Sequence, residues 1–239
     1  MDAKKTTKTK QLPDAFALFK PSWKAFQLNF ETFVWQLLLP VGIAGLAVLG
    51  FVVAGFAFHA SGSENIIPFI AAGLLALVAL YFVVVIAASL IVTELHSARM
   101  QEISFMSALR DIQGSVLKLV GLFIIFSLAV GIGLILFILP GLFAFQRLLL
   151  APYYLVDQKL GVFESIRRSW RAGSQYSGAV WGIVGIVVAI NLVSWVPLVG
   201  WLASLILTVM YFCAPAIRYR QIVEHAGTKP PNPLPAVKA

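Results

Sequence analysis

Residues 139–170 read LPGLFAFQRLLLAPYYLVDQKLGVFESIRRSW. The stretch opens on a breaker pair, Pro140-Gly141, which predicts a chain reversal. An apolar run follows from Leu142 to Val156 with one charge inside it, Arg147. Tyr153 and Tyr154 stand near its end, where a membrane–water interface collects aromatic rings. The next segment, 162–176, puts Phe163, Ile166, Trp170 and Gly173 on one helical face and its arginines on the others. Turn, span and basic interfacial anchor are the parts of a membrane hairpin.

Length alone leaves the crossing open. At 1.5 Å per residue, Leu142–Val156 reaches about 22 Å, short of a hydrocarbon core of about 30 Å. Charge decides it. If the run crosses, the Lys and Arg residues sort to one side: six in 1–24, then Arg99, Arg110 and Lys118, four in 159–171, and four in 218–238. The opposite loops, 59–65, 140–141 and 197–200, then carry none. Cations retained on the cytoplasmic side are the strongest determinant of orientation, so the run is expected to cross.

Composition agrees. Of 239 residues, 60% are apolar and only 12% charged, about half the charged share of a soluble domain. The net charge of +8 would suggest nucleic acid in a soluble chain. Here the cations flank apolar runs, so topology and anionic lipid explain them and no nucleic-acid partner is expected. A single cysteine, Cys213, excludes an intramolecular disulfide and a cysteine metal cluster. The first apolar run starts near Phe33 and is too long for a cleavable signal, so it reads as an uncleaved span.

The expected fold is all-α: a polytopic integral membrane protein with six transmembrane helices in three hairpins. Each hairpin is preceded by an amphipathic helix on the cytoplasmic side, at 14–30, 93–114 and 162–176. The spans fall near 33–58, 66–92, 116–139, 142–156, 179–196 and 201–218. Pro40 is expected to kink the first span, and Pro21 makes an unbroken helix over 14–30 doubtful. Residues 1–12 are expected to be a disordered basic N-terminus, 13–225 the membrane domain, and 226–239 a Pro-rich disordered tail. Phe16-x3-Lys20-x-Ser22-Trp23-Lys24-Ala25 recurs as Phe163-x3-Arg167-x-Ser169-Trp170-Arg171-Ala172. Three repeated units explain this; so does an interface that selects Trp and Lys/Arg wherever a helix lies in it.

Leu139-Pro140-Gly141, then Pro152, Asp157, Gly161 and Ser169-Trp170, resemble a bacterial six-span membrane protein family. That family includes the membrane domain of some glycerophosphodiester phosphodiesterases and uncharacterised stand-alone relatives. The resemblance covers roughly 100–220 and departs at Glu164-Ser165, where a small residue is expected. It implies a multi-pass protein of the bacterial plasma membrane with both termini cytoplasmic. The family's attached phosphodiesterase is a soluble barrel with His, Glu and metal ligands. Nothing of it is present here, so its activity is not implied.

No P-loop, HExxH, CxxC, GxSxG or dinucleotide fingerprint occurs. His59, His96 and His225 share no spacing that would hold a metal. No enzyme activity and no cofactor are expected. Arg147 is the foremost candidate, because a charge inside a span costs about 2.5–3.5 kcal/mol and is functional by default. It either snorkels outward or pairs with Gln146, Gln36, Asn191 or freed carbonyls, or it binds an anionic headgroup or solute. Lys20, Lys24, Arg167, Arg168 and Arg171, with Trp23 and Trp170, are candidate contacts to anionic lipid. Small residues at helical spacing (Gly178, Gly182, Gly185, Ala189; Gly50, Ala54, Ala57; Ala72, Ala76, Ala79) are expected to serve packing within the bundle more than a dimer face. The expected role is a non-enzymatic membrane module acting on lipid or scaffolding a membrane-protein partner. The alternative is a small-solute transporter or channel with its site near Arg147.

Overall fold

A computed structural model describes residues 12–61, 66–197 and 199–227. Expectations for 1–11 and 228–239, and for parts of two outer loops, lie outside the described residues. Among the described residues the fold is helical, without strands. After a 3-10 turn at Phe16–Leu18 come α1 (Phe19–Leu28), α2 (Phe30–Ser61), α3 (Ile67–Ala98) and α4 (Phe105–Ile112). Then follow α5 (Val116–Leu136), α6 (Ile138–Leu148), α7 (Ala151–Asp157) and α8 (Val162–Gln175). The chain closes with α9 (Ser177–Val193), α10 (Gly200–Tyr211) and α11 (Ala214–His225). Five segments are long and apolar enough to cross a membrane: 30–56, Ile67–Ala98, 105–136, 138–157 and 200–225. Counting α8 with α9, whose axes meet at 98°, adds a sixth.

Prolines sit where the helix loses little. Pro68, Pro152 and Pro215 stand in the first turns of α3, α7 and α11, where an N–H would lack a partner anyway. Pro21 is the third residue of α1, so that helix runs unbroken for the same reason. Pro40 lies inside α2, which stays one helix.

Three sequence expectations move. The reversal between α5 and α6 falls at Phe137, whose φ and ψ are −165° and 152°, and not at Pro140-Gly141. Pro140 is already inside the first turn of α6, where its missing donor is harmless. Gly141 serves close approach instead: a Cβ on Gly133 would lie 2.7 Å from the Gly141 Cα. The fourth segment is longer than expected, Ile138–Asp157, and is interrupted at 149–150 between α6 and α7. The expected interfacial helix over 93–114 is also wrong at its start. Residues 93–98 belong to α3, and only Phe105–Ile112 forms a separate short helix.

Burial is uneven along the helices. The second half of α3, from Val85 to Ala98, is largely buried, as is all of α7. These pack with α11 through Tyr153 and Tyr154, whose ring centroids lie 5.9 and 4.8 Å from Tyr219. The far ends of α2, α3, α5 and α10 leave large apolar side chains outside, among them Leu38, Phe56, Leu74, Ile135 and Leu202. Water would penalise that surface; a bilayer would not, because lipid tails are as apolar as leucine.

α4 packs on α3, α8 on α6 and α7, and α1 on α10, α3 and α11.

Helices α3 and α7 end alike. Met100 and Lys159 hold φ of 54° and 51°, the left-handed conformation that favours glycine. The Gln101 N–H then reaches the His96 carbonyl at 3.0 Å, and the Leu160 N–H the Leu155 carbonyl at 3.2 Å. These six-to-one bonds satisfy carbonyls that would otherwise be orphaned. Glycine at either site relieves about 1–2 kcal/mol of backbone strain and returns about half of it as unfolded-state entropy. We expect Met100→Gly and Lys159→Gly each to raise the thermal midpoint in detergent by roughly 1–3 °C. A fall in either would show that the side chain outweighs the backbone.

Candidate functional site

The buried polar groups gather where α3, α7, α8 and α11 meet. Asp157, at the end of α7, is nearly fully buried. It takes the Arg99 guanidinium from the end of α3 and, at 2.8 Å, the Tyr219 hydroxyl from α11. Gln158 donates to the Tyr219 oxygen at 3.3 Å and accepts from Arg168 of α8. Arg168 also pairs with Glu164 at 3.1 Å. Arg220 closes the last turn of α3 by donating to the Ala98 carbonyl at 2.8 Å. One turn earlier, the Tyr153 hydroxyl donates to the buried Glu94 carboxylate. A chain of charge-assisted bonds thus ties four helices together. Arg218, counted in the sequence as a flanking cation, is fully buried and donates to Gln221 at 3.0 Å, with its Nε and Nη2 lacking a partner.

A second polar row joins α2 to α3. Gln36 donates to Ser89 at 2.8 Å and to Thr93 at 2.9 Å. Asn29 donates to Ser97 and to the Gln101 carbonyl, both at 2.9 Å, and accepts from the Ile103 N–H at 2.8 Å. These bonds tie the start of α2 to α3 and to the loop after it, where lipid would offer no partner; Gln36 Oε1 stays without one.

The four residues grouped as an intramembrane polar site do not form one. Gln36 belongs to the α2–α3 row. Asn191 turns onto its own helix, donating to the Val187 carbonyl at 2.8 Å. Gln146 is buried and donates to the Gly173 carbonyl of α8 at 2.9 Å. Only Gln146 stands by Arg147, and it makes no bond to it. Spacing along separate spans carried no information about which faces meet.

Arg147 lies under α8. Its guanidinium carbon is 4.7 Å from the Phe143 ring centroid and 5.8 Å from that of Trp170. Both are cation–π distances. Its Nε and Nη1 are buried without a hydrogen-bond partner. The bent-back helix α8, and not the far side of the span, is where the side chain goes, which corrects the outward snorkel.

The basic residues divide. Lys20, Lys24, Arg167 and Arg171 are exposed, and none forms an ion pair among the described residues. Arg168 does not belong with them, since it is spent on Glu164 and Gln158. Trp170 is 46% exposed; Trp23 is half-buried and stacks on Phe26 at 6.0 Å. Lys20 and Lys24 ride on α1 and the arginines on α8, so they form two patches.

Sequence reading missed a second repeat. Leu150-Ala151-Pro152 opens α7 and Cys213-Ala214-Pro215 opens α11, each followed by glutamine six residues after the proline, Gln158 and Gln221. Both are breaks inside an apolar segment, and a repeated serine answers each. Ser169 donates to the Arg147 carbonyl at 2.6 Å, while Ser22 accepts from the Cys213 N–H at 3.0 Å. Both serines are fully buried. The doubled Ala-Pro was the available signal.

The small-residue stripes also divide. Ala54 is buried, and Ala72, Ala76 and Ala79 are half-buried. On α9 the outcome is opposite: Gly182 abuts Ala15, but Gly178, Gly185 and Ala189 are exposed. Apart from Gly182, that stripe is not covered by other described residues.

Among the described clefts, one of about 390 Å³ lies between Glu31, Thr32, Trp35, Glu102 and Phe105. One of about 570 Å³ is an apolar groove between α3 and α5. Arg147 lines neither. Among the described residues, no group of His, Cys, Asp or Glu could hold a metal.

Asp157 is the knot, and removing it takes the acceptor from both the Arg99 guanidinium and the Tyr219 hydroxyl proton. We expect Asp157→Ala to cost about 3 kcal/mol and to lower the thermal midpoint by roughly 6–12 °C. Asp157→Asn, which keeps size and an acceptor, should lose less. Equal midpoints for Asp157→Ala and the parent, followed by tryptophan fluorescence in detergent, would remove the knot. The chain matches no family model, no curated protein and no solved structure.

Proposed function

We propose that the chain is a non-enzymatic, six-span protein of the bacterial plasma membrane that engages anionic lipid of the cytoplasmic leaflet. The observation that carries this is the 98° bend between α8 and α9. A helix at right angles to a span lies along the membrane plane. α8 buries Ser165, Ser169, Ala172 and Gly173 against the protein and turns Phe163, Trp170, Arg167 and Arg171 outward. Apolar rings with flanking cations are what an interfacial helix offers to headgroups. The three pairs, α2–α3, α5 with α6–α7, and α9 with α10–α11, are the hairpins of this reading. α1, α4 and α8 are its cytoplasmic-side helices. The resemblance around Leu139-Pro140-Gly141 and Ser169-Trp170 fits the same placement. A membrane-protein partner, seated on the splayed apolar ends, fits the scaffolding form of this role. Transport has less support, because Arg147 is stacked on protein rings and lines none of the described clefts.

Two measurements test it. In a Cys213→Ala background, a cysteine at Lys159 should react with an impermeant maleimide only after the cells are opened. One at His59 should react in intact cells. Labelling of Lys159→Cys from outside overturns the topology. In reconstituted vesicles, spin-labelled phosphatidylglycerol should be held at the protein boundary several-fold over phosphatidylcholine, at about 1 kcal/mol per interfacial cation. Neutralising Arg167 and Arg171 together should abolish most of that preference. Its persistence would overturn the lipid role of α8.

A further inference from the structure

We propose that Arg147, with Arg167, Trp170 and Arg171, forms a stoichiometric site for the phosphate of one phospholipid. The proposal rests on the reading that α8 lies on the cytoplasmic leaflet, and it adds a particular lipid to a diffuse attraction. Its first support is the pair of orphaned donors. Nε and Nη1 of Arg147 are buried with no partner. Native proteins almost always satisfy buried donors, so an exception asks for a missing acceptor. Glu164, the carboxylate on α8, is paired with Arg168 and is not that acceptor.

The second support is internal comparison. The two Ala-Pro breaks align Arg147, four residues before Ala151, with Met210, four residues before Ala214. The aligned serine-tryptophan pairs, Ser169-Trp170 and Ser22-Trp23, dock on these two breaks in turn. One break is therefore built with an apolar residue at this position. The architecture does not require a cation there, and Arg147 is a departure from the pattern that serves something else.

The third support is the surroundings. Arg167 and Arg171 are one helical turn apart on α8 and flank Trp170. All three are exposed, so cations approach from the water side while Arg147 approaches from within. Guanidinium edges pair bidentately with phosphate oxygens. The rim is apolar on the membrane side: Phe143 is 41% and Phe163 79% exposed. A phosphate among arginines with its ester carbons against exposed rings matches a phospholipid. The guanidinium sits 5.8 Å from the Trp170 ring, so a phosphate reaching it is expected to move that ring.

The purified full chain in detergent is titrated with dioleoyl phosphatidylglycerol, read by native mass spectrometry and by tryptophan emission. One lipid per chain should be retained more tightly than the rest. Arg147→Gln should weaken it about ten- to hundredfold, the range expected for charged hydrogen bonds. Arg147→Lys, which keeps charge but not the two-pronged edge, should fall between. Arg147→Met copies the matched break and should leave the thermal midpoint unchanged, which separates lost binding from lost folding. Should the Arg147 variants fail to fold, Arg171→Gln, altered at an exposed position, must still weaken the retained lipid. Millimolar inorganic phosphate should not displace it. Retention of one lipid by Arg147→Gln overturns the site, and so does displacement by inorganic phosphate, which would mark a free-anion site. Boundary preference for phosphatidylglycerol without a single retained lipid sinks this proposal and leaves the surface reading intact. A retained lipid without boundary preference does the reverse.

Discussion

A helix interrupted inside an apolar segment leaves backbone groups that lipid cannot satisfy. This chain has two such interruptions, before Ala151 and before Ala214, and everything else is arranged around them. Pro152 and Pro215 prevent the helix from simply continuing its bonds, since neither has an N–H to give. From separate helices, Ser169 donates to the Arg147 carbonyl beside one break and Ser22 accepts from the Cys213 N–H beside the other. Each serine must then be held deep in the protein, and α8 and α1 are pulled onto the breaks with it. Docking α8 this way forces the right-angled turn at Tyr176 into α9. It also aims the outer face of α8, with its rings and arginines, away from the protein.

The segments after the breaks, α7 and α11, meet the end of α3, and the Asp157 knot forms there. The order of cause matters. Apolar burial gives little drive between helices in lipid. Hydrogen bonds and close packing therefore decide which helices touch, and here the buried bonds between α3, α7 and α11 concentrate at one end of those helices. That explains why α7 is buried throughout while α2 and the first half of α3 leave leucine and phenylalanine outside. Helix association needs to be specified at only one end when the other end is content in hydrocarbon.

Much of this was legible. Long apolar runs name a membrane protein, but the helix starts at Ala151 and Ala214 lie inside runs that read as unbroken spans. The periodicity of Phe163, Ile166 and Trp170 identifies α8 as two-faced. What periodicity leaves open is which face packs on protein: the chain buries the small serines, alanine and glycine and leaves the large rings out. In water the apolar stripe would be the inner one; beside lipid that inference inverts. The position of the α5–α6 reversal was misread for a related reason. Pro140-Gly141 is a breaker in an average sequence, but proline inside the first turn is neutral and glycine permits the close approach of α5. Glu94 looked like an interfacial charge because its partner, Tyr153, lies 59 residues away. Contacts at that separation leave no trace in local spacing.

Arg147 shows how far such reading can go. Its place in an apolar run marked it at once, and the partners proposed from the sequence, Gln36 and Asn191, are occupied elsewhere. The informative comparison is inside the chain. Two breaks are built alike, each with a buried serine, an Ala-Pro and a tryptophan next to the serine. One carries methionine where the other carries arginine. If the fold were the reason for the arginine, the other break would need it too. A charge that the matched break does without, with two nitrogens that find no protein acceptor, is what the proposed lipid phosphate accounts for.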